Sequence, residues 1–350
     1  MADDVTPVST PRAMTAAQAL RWEELLRNVA EMLPAGPAYV VVDGGGEQDL
    51  IVAERLADTV HAAGRACVRL FDTVPSTGDD TWSAACDADA VVVAQGSHWR
   101  AHPPRDRWDV VIRLRTASTR PGNAKSDADI VIDLNDPAWP VIRHVAARLA
   151  GHPRWYVTES RAFFATRAAT WDTKFGDDLP AYAAAIAEAG LPKGGVVADV
   201  GCGTGRALPA LRRAVGPRGG VIAVDLTPEM LEQVRSQGRA EHAALVLADA
   251  RHLPLTDASV DAVFAAGLIT HLPDTDACLH ELARITRPGG RLVLFHPSGR
   301  AALAARHGRT LRPDEPLAEA PLRRSMHQTG WQLTGYDDPE HRFLAIAARR

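Results

Sequence analysis

Short apolar runs, each closed by an acid, a glycine or a polar residue, recur along this chain and alternate with stretches of helical period. In the first half the runs are AYVVVD (38–43), CVRLFD (67–72), DAVVVAQG (89–96), WDVVIRL (108–114) and DIVIDL (129–134). In the second half they are VVADV (196–200), VIAVD (221–225), LVLAD (245–249), ASVDAVFAAG (258–267) and RLVLFH (291–296), followed by WQLTGYD (331–337) and FLAIAAR (343–349). Nearly continuous apolar runs of this length mark strands buried on both faces. Helical stretches lie between most of them. Thr15 and Gln18 form a capping box, and the helix they open runs to Leu33 with Leu20, Leu25, Leu26, Val29 and Leu33 near one face. Further helices are predicted after Gly46, from Ala138 to Leu149, up to Gly190, after Gly205, from Thr227 with Pro228 at the first position, and over 276–286. Strands alternating with helices predict an α/β chain of two doubly wound domains. The last two runs flank an edge hairpin, so the second sheet is expected to be parallel except for its last strand.

Two places read as strand, glycine turn, helix. One is VVVDGGG, at Gly44, Gly45 and Gly46. The other is VVADVGCGTG, at Gly201, Gly203 and Gly205. Glycine accepts positive φ and lets a ligand approach the backbone closely. The second turn has a sequel: twenty residues after Gly205 the run VIAVD ends in Asp225. An acid at the tip of the second strand is where a ribose diol is hydrogen-bonded. The pair favours an adenosine-type cofactor.

Composition narrows the classes. The 350 residues are 46% hydrophobic and 23% charged, with a formal net charge of −4. Two domains are expected at this length. No basic stripe marks a nucleic-acid face, no run reaches a membrane span, and the acidic start MADDVTPVSTPRAM lacks a signal-peptide core. A cytoplasmic protein is the expectation. Cys67, Cys86, Cys202 and Cys278 lack metal-ligand spacing and are expected to be reduced, mostly buried thiols. The expected division is a disordered tail (1–14), a first domain (15–150), an aromatic join (151–190) and a second domain (191–350).

Residues 20 to 150 resemble the uridine-kinase-like branch of the P-loop fold, through VVVDGGG, RLFD, DAVVVAQG and ADIVIDLNDP. The resemblance implies a parallel P-loop-kinase-like sheet, with Asp72 near a nucleoside hydroxyl. The chain departs from it where chemistry resides. In the spacing G-x-x-x-x-G-K-[ST], Asp49 stands for the second glycine, Leu50 for the lysine and Ile51 for the hydroxyl residue. No side chain is left for the β- and γ-phosphates or for Mg²⁺, so a degenerate domain without ATP chemistry is expected. The join concentrates Trp155, Tyr156, Phe163, Phe164, Trp171 and Phe175 in a chain with only 5% aromatics. It reads either as a staple between domains or as a lid over a cofactor cleft.

The second half resembles the class I S-adenosylmethionine-dependent methyltransferases, with a Rossmann-like seven-stranded sheet. The motifs are DVGCGTG, VIAVDLTPEML, ADARHLPLTDASVDAVFAAGLITHLPD and ELARITRPGGRLVLF, in order over residues 195 to 298. The resemblance implies S-adenosyl-L-methionine as cofactor. Asp199 then lies near its ammonium group, and Gly201, Gly203 and Gly205 near its methionine part. Asp225 with Leu226 serves the ribose, Asp249 with Ala250 the adenine, and Ala266 completes the set. Methyl transfer needs alignment and exclusion of water, plus a base for a weakly acidic acceptor. His271 and His296 follow the fourth and fifth strands and are the candidate catalytic residues, with His307 and Arg300 behind them. AAGL at 265–268 replaces the [DN]-P-P-[YF] turn of DNA adenine methylases. A small-molecule acceptor is expected, with no nucleic acid, membrane or metal, and with a homodimer left open. Two other readings stay open: a cofactor-binding scaffold without turnover, and a bifunctional kinase–methyltransferase.

Overall fold

The computed structural model describes residues 14–70, 89–103, 107–117, 128–151, 154–175 and 177–350 except 307. The predicted tail to residue 13, Asp72, Cys86 and His307 lie outside the described residues. The chain divides into two compact units, residues 1–119 with 124–152 and residues 120–123 with 153–350.

In the first unit helix α1 (Ala16–Met32) begins at the predicted capping box, with Thr15 and Gln18 bonded reciprocally. Its buried face carries Trp22, Leu25, Leu26, Val29 and Met32, whereas Leu20 is exposed. Leu20 falls on the side of the helix away from this stripe by helical period, and the Trp22 indole N–H donates to the Pro137 carbonyl at 3.1 Å. Strand β1 (Ala38–Asp43) leads through the glycine turn into α2 (Glu47–Ala62); β2 (Cys67–Leu70), β3 (Val91–Gln95), α3 (Gly96–Ala101), β4 (Val110–Arg115), β5 (Ile130–Asp133) and β6 (Val141–Val145) follow. The sheet order is β2-β3-β1-β4-β5-β6. The first five strands are parallel, and β6 runs antiparallel to β5. This corrects two expectations, a wholly parallel sheet and a helix over 138–149. Pro140 pushes the preceding Trp139 out of the helical region, and β-branched Val141, Ile142 and Val145 suit a pleated edge strand.

The second unit opens with helices α4 (Arg154–Ala168), α5 (Trp171–Phe175) and α6 (Leu179–Ala189), the last ending at Gly190 in left-handed conformation. Then come β7 (Val196–Val200), α7 (Leu208–Val215), β8 (Gly220–Asp225), α8 (Pro228–Ser236), β9 (Ala244–Leu247), β10 (Val260–Ala266), α9 (Thr275–Ile285), β11 (Thr286–His296), α10 (Arg300–Arg306), α11 (Glu319–Gln328), β12 (Trp331–Asp337) and β13 (Phe343–Arg349). Seven strands pair in the order β12-β13-β11-β10-β7-β8-β9. Strand β13 is antiparallel to both neighbours, as expected of the last strand, and the rest are parallel. The predicted stop at RPGG is absorbed into β11 as an irregularity, where pairing jumps from Thr286 to Arg291.

Alternate strand residues feed two cores. Val197, Ala262 and Phe264 pack with α6, α7 and α8 on one face; Ala198, Val263 and Ala265 pack with α9 and α11 on the other. Full burial of a side chain such as Phe264 contributes about 2–3 kcal/mol. Strand β7 lies between β8 and β10, so the crossovers part at its carboxyl end. Doubly wound sheets open a ligand crevice at such a point.

Candidate functional site

The second glycine turn occupies that switch point. Gly201, Gly203 and Gly205 have φ of 74°, 55° and 79°, the left-handed region that a side chain disfavours. A Cβ on Gly205 would lie 2.8 Å from Leu208 Cδ1, whereas one on Gly203 would meet nothing within 4 Å. The turn's own N–H groups close it: Gly201 and Cys202 donate to the Val224 carbonyl, Gly205 to the Cys202 carbonyl, and Gly203 to Asp225. What it offers outward is a surface without side chains.

Three acids stand at or just past the carboxyl ends of β7, β8 and β9. Asp199 is 1% exposed and its Oδ2 has no hydrogen-bond partner. Burial, with the nearby Asp225 charge, pushes its pKa up to about 8. A buried carboxyl oxygen without a partner costs free energy unless a cation or donor supplies one. Asp225 accepts from the Thr227 amide through Oδ1 and from the Gly203 amide through Oδ2, both at 2.8 Å. Its pKa is raised by burial, with those amides pulling the other way. Thr227 takes the predicted N-cap position, yet its hydroxyl makes no capping bond, and its amide donates to Asp225.

Asp249 sits two residues beyond β9, beside buried Ala250. Its carboxylate receives a fork from Arg251, with Nη2 at 2.6 Å, and the Arg251 amide at 2.9 Å. Burial raises its pKa, but these bonds outweigh it and hold the group below the usual range. The Arg251 guanidinium also lies 4.3 Å from the centre of the Tyr156 ring. No pattern in DAR signals this arrangement, since it needs Tyr156 brought from almost a hundred residues away.

Helix α4 runs over the strand ends. Arg161 donates to the Leu226 carbonyl at 2.9 Å, Tyr156 stacks on Arg251, and Phe164 meets His271 edge-on with centroids 5.1 Å apart. Phe163 and Trp171 extend the cluster around Phe164. The aromatic join thus spans the exits of β8, β9 and β10. His271 is therefore placed against this half-buried aromatic group. His296 is placed elsewhere: its Nδ1 is 3.0 Å from the Ser298 amide and 2.9 Å from the Ser298 carbonyl, so either tautomer commits that nitrogen to the local loop. Its Cδ2 lies 3.8 Å from where a Gly267 Cβ would be, beside Ala266 at the end of β10. Arg300 is bound to Glu315, Asp338 and the Tyr336 hydroxyl, which fixes the segment after β11 and leaves no base. Among the described residues no group of three or more His, Cys, Asp or Glu is arranged to hold a metal ion, and no helix is long and apolar enough to cross a membrane.

Residues 198–294 match the protein family described as "Methyltransferase domain". The C-terminal half therefore carries a methyltransferase domain. The chain is similar to Methyltransferase GfsG of Streptomyces halstedii, 39% identical over 100 residues that cover 28% of this chain and 36% of that protein. It is also similar to the demethylmenaquinone methyltransferase of Lactobacillus johnsonii, 36% identical over 104 residues, 29% of this chain and 43% of that one. The chain spans less than half the length of these curated relatives. A crystal structure of a SAM-dependent methyltransferase from Aquifex aeolicus aligns over 53% of this chain and 98% of its own, at 22% identity and a TM-score of 0.45. The match to a methyltransferase domain supports the expected cofactor, S-adenosylmethionine. The residues present fit it: the partnerless Asp199 oxygen is an acceptor for an ammonium group, and the bare turn has room beside it.

Proposed function

We propose that the chain transfers a methyl group from S-adenosylmethionine to a small-molecule acceptor. The observation that carries this reading is the buried, partnerless Asp199 oxygen beside a glycine-rich turn, with Asp225 at the end of β8 and Asp249 just past β9. Bound there, the cofactor supplies an activated methyl on a sulfonium. Asp199 holds the ammonium end, Asp225 with Leu226 holds the ribose hydroxyls, and Asp249 with Ala250 takes the adenine edge. Asp225 meets the ribose already oriented by two backbone amides, so little ordering remains to be done on binding. Helix α4 acts as a lid that excludes water, and Ala266 with Gly267 leaves space between cofactor and acceptor. His271, on the aromatic wall, is the acceptor-side group placed to take a proton; His296, held through Nδ1, orients the loop after β11. Titration with S-adenosylmethionine by calorimetry tests the reading. Wild type is expected to bind and Asp199→Ala to lose binding while staying folded. Equal binding by both, or none by wild type, sinks it.

The small-molecule acceptor draws support from the printed activities of relatives, which include a demethylmenaquinone methyltransferase, and from the missing [DN]-P-P-[YF] turn. Methyl-labelled cofactor incubated with metabolite extracts is expected to label a low-mass product, and label found only in nucleic acid would refute it. For the first unit we infer a kinase-like scaffold without ATP chemistry. Strand β1 is central, and its turn opens α2, but Asp49 Oδ1 accepts from the Gly45 amide at 2.7 Å. The chain's own carboxylate thus fills the place where the turn would meet phosphate, and Leu50 and Ile51 are exposed beside it. No ATP binding is expected by titration with ATP and Mg²⁺.

A further inference from the structure

We propose that Arg206 and Asp172 form an electrostatic latch that positions the cofactor turn and governs how fast cofactor leaves it; this rests on the S-adenosylmethionine reading above. Arg206 is the first residue past Gly205 and is only 7% exposed. A buried guanidinium is tolerated when carboxylates and hydrogen bonds surround it. Here both carboxylates come from the segment around α5. Asp178 accepts from Arg206 Nε at 2.9 Å and pairs with Nη2, and Asp172 Oδ1 lies 3.2 Å from Nη1. Asp178 stands at the N-cap of α6 yet makes no capping bond. Its carboxylate is turned to Arg206 instead of to the helix amides that an N-cap aspartate ordinarily serves.

Asp172 reaches further. Its Oδ1 accepts from the Thr204 hydroxyl at 2.5 Å, and its Oδ2 pairs with Arg239 at 2.8 Å. Arg239 in turn donates to the Thr204 carbonyl at 2.7 Å. Thr204, 1% exposed, lies between Gly203 and Gly205. Thr204 is therefore gripped at both its hydroxyl and its carbonyl by a network of two acids and two arginines. Burial alone would raise the Asp172 pKa, but its bonds to Thr204, Arg239 and Arg206 hold it below the usual range. The pairs are balanced in charge, so the network gives hold and geometry rather than field. The conformation of the turn and the positions of Asp172 and Asp178 beside it are thus one mechanical element. Asp172 and Arg206 touch the turn, not the cofactor, and are positioning residues.

The test compares wild type with Asp172→Asn, Arg206→Lys and the exchanged pair Asp172→Arg with Arg206→Asp. S-adenosylhomocysteine release is followed by stopped-flow tryptophan fluorescence, and amide exchange is followed without cofactor. Asp172→Asn is expected to release the product roughly tenfold faster, with faster exchange in peptides covering Trp171–Asp178 and Gly201–Gly205 and an unchanged melting profile elsewhere. Arg206→Lys, which keeps the charge but loses the fork, should fall between, and the exchanged pair, which sets like charges against Asp178 and Arg239, should release at least as fast as Asp172→Asn. Unchanged release and exchange in Asp172→Asn overturns the latch. If exchange quickens as expected while wild type binds no S-adenosylhomocysteine, the latch stands as a structural element and the cofactor reading falls instead.

Discussion

Two turns in this chain begin alike and end in opposite chemistry. Each follows a central parallel strand, carries three glycines and opens toward a helix. At Gly44–Gly46 the helix supplies its own counter-charge: Asp49 folds back onto the Gly45 amide, and Glu47 joins it in the first turn. Negative side chains satisfy a helix N-terminus, and a site satisfied from within has nothing left for a phosphate. At Gly201–Gly205 the amides are spent inside the turn, while the unsatisfied group is an acid, Asp199, buried beneath it. The first turn has answered its own electrostatics; the second leaves an acid in want of a cation. A glycine turn is thus an invitation only, and the acids around it decide what, if anything, is invited.

The sharpest way to break the comparison is at Asp199. Asp199→Ala should weaken S-adenosylmethionine binding on the order of a hundredfold, about 3 kcal/mol, because an ammonium is left without its buried partner. Calorimetry reads this directly, and a change below threefold would make the two turns equivalent. The same residue sets a pH signature. Its folded pKa, about 8, lies above its unfolded value. The cofactor-free protein therefore holds this stabilisation in acid and loses it as pH rises toward 8. Melting temperature without cofactor should fall across that window, and Asp199→Asn should flatten the fall. Cofactor affinity should rise over the same window, as the carboxylate forms.

Packing gives the next largest contrast. Gly205→Ala forces a Cβ against Leu208 and Val234 at positive φ, and should cost the second unit about 2–3 kcal/mol in denaturant unfolding. Gly46→Ala, at φ 63° with nothing within 4 Å, should cost the first unit only about 1 kcal/mol. Equal losses would mean that the second turn is no more tightly built than the first. Asp49→Ala is the mildest probe. Freeing the Gly45 amide should lower stability by about 1 kcal/mol, and should let the first turn bind inorganic phosphate weakly if Asp49 is all that closes it. Phosphate titration followed by amide chemical shifts distinguishes an open turn from one whose shape alone excludes the anion.

Much of this was legible in the residues because it depends on local order. Among the described residues apolar runs marked every strand but one, and the spacing from Gly205 singled out Asp225 at the tip of β8. The missed strand, β6, carries Val141, Ile142 and Val145 in a segment too short for period to separate strand from helix. Leu20 stands off the buried face of α1 by helical period alone, so its exposure needs no distant partner.

The site divides the same way. Which acids stand at the switch point is a matter of strand ends, and their places are read from the order of residues. What each acid does depends on partners far away in sequence. Asp199 lacks one, Asp225 is held by two amides, and Asp249 is claimed by Arg251, itself stacked on Tyr156. Arg206 looked like the start of a helix and proved to be a buried charge held by Asp172 and Asp178. Strand identity follows from side chains that every local segment carries with it. Protonation, orientation and closure follow from which charges share a low-dielectric space, and that is settled only when the folded chain brings them together.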